Sequence, residues 1–185
     1  MSVAQGSERR ASIKWINVKP PQRIQIKILG LDDKQTTTLK SGFSTFSQLS
    51  IYRSKDAMSE DQQALAQTAC TVKYDMWEEH YEVTLLTDTP KTMTAKSLDH
   101  YLTHCLSVEI YGGEFLKQLK SGDKTLVASL QVEQISSTQA QKVKAWLINQ
   151  QSSVMRGLFS HMLGDMTLSQ TSQISLQIPN PPANP

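Results

Sequence analysis

The sequence predicts a mainly β domain with helices (α+β). The expected architecture is an antiparallel β-sandwich-like fold of about eight strands, with two or three helices packed on one edge or face. Three observations predict it. Apolar and polar residues alternate with period two through the first half, the signature of half-buried strands. One stretch after Thr94 switches to helical spacing. Consecutive strands are joined mostly by short links, which favour antiparallel pairing. A parallel nucleotide-binding fold needs regular strand–helix alternation, and the first half of the chain lacks it.

In order, Ser12 to Val18 reads as a strand, broken by Lys19-Pro20-Pro21 because proline cannot donate to a ladder. Arg23 to Leu29 is the clearest strand, with Ile24, Ile26 and Ile28 facing one way and Arg23, Gln25 and Lys27 the other. Gly30 to Lys34 reads as a turn rich in Asp and Gly. Phe43 to Tyr52, behind Ser41-Gly42, is rich in aromatic and β-branched residues. Ser54 to Gln67 is polar, a surface loop or a short helix. Ala69 to Asp75 and His80 to Leu86 form a hairpin, with Cys70, Val72 and Tyr74 on one strand and Tyr81, Val83 and Leu85 on the other. Its tip is Met76-Trp77-Glu78-Glu79.

From Thr94 the apolar residues fall at Leu98, Tyr101, Leu102, Cys105 and Leu106, one face of a helix for which Thr94 and Ser97 are candidate caps. Ser107 to Tyr111 is a short strand stopped by Gly112-Gly113. Thr125 to Ile135 is a long one with Leu126, Ala128, Leu130 and Val132 inward. Ser137 and Thr138 open a second helical stretch through Val143, Trp146 and Leu147, restarting near Ser152, and Gln173 to Ile178 is the last strand. The expected organisation is a flexible lead-in over 1–11, a single domain over 12–178, and a Pro-rich tail over 179–185.

A chain of 185 residues can bury a sizeable core without staples. Its 19 basic and 17 acidic residues leave a net charge of +2, and the basic ones are scattered. Neither nucleic acid nor electrostatic capture by an anionic membrane is expected as a partner. No run approaches the roughly 18 apolar residues of a membrane-spanning helix. Met1 to Ser12 is polar and no apolar signal-peptide core follows it. Two readings of this start stand side by side: a native cytoplasmic beginning, or a beginning behind a removed signal or anchor.

Candidate chemistry reads blandly throughout. His100 and His104 stand four apart on the expected helix, a zinc-ligand spacing, but the apolar stripe puts both on the solvent side. The pairs Asp32-Asp33 and Glu78-Glu79 sit in expected turns, where solvation accounts for them. No serine lies in a Gly-x-Ser-x-Gly elbow, and neither Gly112-Gly113 nor Ser121-Gly122-Asp123 continues into a phosphate-binding loop. The expectation is a protein without enzyme activity, metal or other cofactor.

Cys70 and Cys105 are too few for a disulfide framework and too widely spaced for a Cys-x-x-Cys motif. Both are expected to face the core, and to touch if the helix packs on the apolar side of the hairpin. Two buried free thiols are the favoured reading. In an exported protein the same placement invites a disulfide. For Trp77 the favoured reading is a lid folded back over the end of the sandwich, since one aromatic side chain covers a large apolar area. The alternative is an anchor that projects toward another protein, with Glu78 and Glu79 on its rim.

The order of these features resembles a known family. Leu39-Lys40-Ser41-Gly42-Phe43 leads into a strand ending Leu49-Ser50-Ile51-Tyr52-Arg53. After a polar spacer come Val72-Lys73-Tyr74-Asp75 with Tyr81-Glu82-Val83, then Ser97-Leu98, then Leu119-Lys120-Ser121-Gly122-Asp123 before a long strand. This pattern, over roughly residues 23–150, is similar to a family of short exported bacterial proteins known as the domain of unknown function numbered four-three-nine-zero. The chain departs from it in the Trp77-Glu78-Glu79 tip and the Pro-rich end. The resemblance implies a periplasmic or envelope location behind a removed signal, and carries over no catalytic residues.

Two functions are therefore expected in turn. The first is a non-catalytic module that binds another protein of a bacterial cell envelope, near a membrane if an anchor precedes it. The second is a carrier that holds a lipid or other apolar ligand between sheet and helix.

Overall fold

Nine strands and two short helices are found among the residues that the computed structural model describes, which are 11–17, 22–53, 64–87, 89–112, 125–135 and 170–179. In chain order they are β1 (Ala11–Asn17), β2 (Gln22–Ile28), α1 (Asp33–Leu39), β3 (Thr45–Arg53), β4 (Ala66–Asp75) and β5 (His80–Leu85). Then follow β6 (Lys91–Ala95), α2 (Leu98–Cys105), β7 (Ser107–Gly112), β8 (Thr125–Gln134) and β9 (Gln170–Gln177). The expected lead-in before Ala11, the second helical stretch from Ser137, most of the polar spacer after Arg53 and the tail after Pro179 lie outside the described residues.

Alternation sorts the strands into two antiparallel sheets, one ordered β1-β2-β7 and the other β6-β5-β4-β3-β8-β9. The small sheet turns Ile24, Ile26, Ile28, Val108 and Ile110 toward the large one. The large sheet answers with Leu49 and Ile51 from β3 and with Leu126, Ala128, Leu130 and Val132 from β8. These side chains form one continuous buried cluster. Each fully buried Ile or Leu contributes about 1.5–3 kcal/mol of transfer free energy, so this interface is the main source of stability. The sandwich-like mainly β fold predicted from the alternation is thus the fold observed.

Two contacts close the sides of the sandwich. At one side β1 lies against β9, where the Trp15 indole Nε1–H donates to the Pro179 carbonyl at 3.0 Å. At the other, α2 packs between β2 and the β4–β5 hairpin. Its buried face is Tyr101, Leu102 and Cys105, and the Tyr101 hydroxyl donates to Ser47 Oγ at 2.6 Å. Burial pushes the Tyr101 phenol well above its ordinary value. Outside, Lys27 Nζ donates to Thr103 Oγ1 at 2.8 Å and reaches Asp99 Oδ1 at 3.3 Å. Such a surface contact is worth at most about 1 kcal/mol, so the apolar face holds the helix.

Three expectations need correction. Gly30 to Lys34 is not simply a turn, because it contains the start of α1. Asp32 caps that helix: its side chain accepts from Gln35 N–H at 2.7 Å while Gln35 Oε1 accepts from Asp32 N–H at 3.2 Å. Asp32-Asp33 is therefore a cap and a first-turn carboxylate, not a solvated turn pair. The helix of the second half begins at Leu98 behind the cap Ser97, whose Oγ accepts from His100 N–H at 3.2 Å. Residues 91–95, including the expected cap Thr94, form β6 and pair with β5, Thr94 opposite Glu82.

Candidate functional site

The β4–β5 hairpin builds its tip from the backbone outward. Asp75 ends β4, and its Oδ1 accepts hydrogen bonds from Trp77 N–H at 2.8 Å and Glu78 N–H at 3.1 Å. A short Asp side chain does this because it reaches its own chain two residues on and so mimics a backbone turn. The Glu78 and Trp77 amides hold the Asp75 carboxyl below its ordinary value of 3.8. Glu79, at φ +50°, occupies the left-handed region and returns the chain into β5, where His80 pairs with Asp75. The four-residue turn is thus fixed from both ends.

This geometry carries Trp77 at the apex with 94% of its surface exposed. The favoured lid reading is overturned, since a tryptophan covering the end of the core would be largely buried. The aromatic packing near this end comes instead from Tyr74, Tyr81 and Tyr101, whose rings run from the hairpin to α2 with centroids 4.8 Å and 5.9 Å apart.

Two further exposed apolar side chains, Met76 and Phe43, stand at the same end of the large sheet as the tip. Thr45 pairs with Val72, so the residues before β3 and after β4 project from the same end of the large sheet. There Met76 folds onto the turn that precedes β3. Its Cε lies 3.2 Å from where a Cβ on Gly42 would stand, and Gly42 is at φ +78°. The positive φ is what favours glycine at that position, since the flexible Met76 end could yield to a Cβ. Met76 and Phe43 nevertheless remain 62% and 63% exposed. The sequence pattern places Phe43 first in a strand, but β3 starts at Thr45 and leaves Phe43 outside the pleat. The glycine directly before it was the available signal.

Glu78 and Glu79 are exposed beside Trp77 and form no ion pair among the described residues. Of the other exposed large apolar side chains, Tyr111 is engaged locally. Its hydroxyl donates to Glu109 Oε2 at 3.3 Å, and the Arg23 guanidinium lies 5.7 Å from its ring centroid. Ile16 and Leu29 are about half exposed and stand singly, which is ordinary for a protein surface.

The turn should titrate with Asp75. Because the folded value lies below the unfolded one, the two amide bonds stabilise the turn above that unfolded value and are lost as pH falls through the folded one. The Trp77 and Glu78 amide resonances are therefore expected to be constant near neutrality and to shift together below pH 3.8. Asp75→Ala should remove the transition. A joint shift that persists in Asp75→Ala would show that another group holds the turn.

Cys70 and Cys105 are fully buried and joined as a disulfide, with Cα atoms 5.9 Å apart and a sequence separation of 35. The favoured reading of two free thiols gives way for a geometric reason. α2 lies across the inner face of β4 and β5, so the inward position on β4 meets the last inward position on the helix. His100 is exposed and His104 half-buried, with ring centroids 4.6 Å apart. Among the described residues no group of three or more His, Cys, Asp or Glu is placed to hold a metal ion. No helix among them is long and apolar enough to cross a membrane.

Comparison of the chain with protein-family models, with curated proteins and with solved structures finds no match.

Proposed function

We propose that this chain is a non-catalytic protein-binding module of a bacterial cell envelope, with its contact built on Trp77 and rimmed by Glu78 and Glu79. The observation that carries the reading is a tryptophan 94% exposed on a turn braced by two hydrogen bonds to the Asp75 carboxylate. Exposed tryptophan is costly to leave in water and is enriched among the few residues that dominate interface energies. A fixed turn lowers the ordering cost of binding, which a floppy tip would incur in full. Phe43 and Met76 add exposed apolar area at the same end of the large sheet.

The envelope location is supported by the buried Cys70–Cys105 disulfide, since such bonds persist in oxidising compartments. The reading is tested by affinity capture from the source cells with the intact protein and with Trp77→Ala. Truncating a contact of this kind costs about 2 kcal/mol or more, a roughly thirtyfold loss of affinity. Recovery of a specific partner should collapse in Trp77→Ala, while stability stays within about 0.5 kcal/mol of the original, as for other exposed positions. Undiminished recovery by Trp77→Ala would overturn the assignment.

A further inference from the structure

We propose that the occupant of the Trp77 surface is a cationic segment of a partner protein, which places lysine or arginine side chains over the indole and against Glu78 and Glu79. This rests on the protein-binding reading above and names the chemistry of the partner.

Charge carries the step. Residues 73–82 hold four carboxylates (Asp75, Glu78, Glu79 and Glu82) and one lysine, Lys73, a local charge of −3 on a chain whose net charge is +2. The hairpin is therefore opposite in sign to the molecule as a whole. Within it the charges are not equivalent. Lys73 and Glu82 face each other across β4 and β5, and Asp75 is committed to the turn. Glu78 and Glu79 stand exposed at the apex and form no ion pair with a lysine or arginine among the described residues. Exposed like charges side by side are tolerated in water, but they become favourable only when an opposite charge arrives. The exposed Trp77 indole that precedes them in the turn is the best of the side-chain π surfaces for an ammonium or guanidinium. Phe43 and Met76 then receive the apolar residues of the same segment. An anionic membrane is disfavoured by the same carboxylates, which would meet a negative surface.

The test uses the whole protein labelled for resonance assignment. The probes are a short peptide alternating arginine and leucine, matched peptides with serine or glutamate in place of arginine, and vesicles of phosphatidylcholine with phosphatidylglycerol. The Trp77 indole N–H is the reporter, distinguished from Trp15 and Trp146 by Trp77→Phe. The arginine peptide should perturb Trp77 and bind about tenfold or more tighter than the serine peptide at low salt, with the margin shrinking as salt is added. Glu78→Gln with Glu79→Gln should erase that margin without displacing the Trp77 amide resonance of the free protein. Equal binding of all three peptides at Trp77 overturns the charge assignment and leaves the protein-binding reading standing. Perturbation by vesicles alone overturns both. An arginine peptide that binds elsewhere, or no peptide that perturbs Trp77, overturns the proposal.

Discussion

Replacing Cys70 and Cys105 together by alanine is expected to lower the unfolding free energy by about 3–4 kcal/mol. The bond closes a loop of 35 residues between β4 and α2, so its loss returns that much chain freedom to the unfolded state. The loss is compounded because both sulfurs sit in the core cluster, where alanine leaves unfilled volume. Against a total of about 5–15 kcal/mol for an ordinary domain, the effect is large. Urea unfolding of the oxidised protein, the reduced protein and the alanine variant measures it, with reduction accounting for most of the difference. A change under about 1 kcal/mol would mean that α2 holds its place without the bond. Alkylation of unreduced, denatured protein taken from the source cells should label neither cysteine.

Ile26→Ala is expected to cost about 2–5 kcal/mol, the range for truncating a fully buried branched side chain. Ile26 sits mid-strand on β2, pairs with Ile13 on one side and Val108 on the other, and has no exposed surface. The large sheet closes over it, so the truncated site cannot collapse without moving a strand. Trp77→Ala removes a much larger side chain and should cost almost nothing, because nothing of the fold rests on it. The pair separates residues that make the fold from the residue assigned to binding. Ile26→Ala costing under about 1 kcal/mol would show that the small sheet is not packed as described.

Much of this fold was legible in the residues, for identifiable reasons. Ile24, Ile26 and Ile28 alternate without exception, and Leu126, Ala128, Leu130 and Val132 alternate with only Val127 and Glu133 also buried on the other face; all seven are buried on the faces that period two assigns. α2 was legible because Leu98, Tyr101, Leu102 and Cys105 repeat at three and four. What hid α1 was threonine. Thr36, Thr37 and Thr38 are weak helix formers, and their presence outweighed the Asp32-x-x-Gln35 cap. In the structure Thr37 and Thr38 turn their hydroxyls back onto the Asp33 and Lys34 carbonyls at 2.7 Å and 2.9 Å. β6 was hidden because its alternation, Thr92 and Thr94 against Met93 and Ala95, is too polar and too short to stand apart from the helix that follows.

The site divides in the same way. Trp77, Glu78 and Glu79 could be placed at a hairpin tip from strand spacing, but the direction of the indole could not. The turn that carries it is held by the Asp75 carboxylate, a local hydrogen-bonding feature rather than a periodic one. The approach of Cys70 to Cys105 followed from two inward faces, whereas bonding required the helix to cross the hairpin at the right register. The meeting of Met76 with Gly42 depends on the β3–β4 register and left no pattern in the sequence beyond the glycine itself.

The most direct measurement of the central claim places a photoreactive phenylalanine analogue at position 77 in the source cells, with the same analogue at the half-exposed Leu29 as a reference. The account predicts a discrete protein adduct from position 77 that is absent from position 29, at unchanged abundance of the module. No adduct from position 77, or the same adduct from both positions, would contradict it.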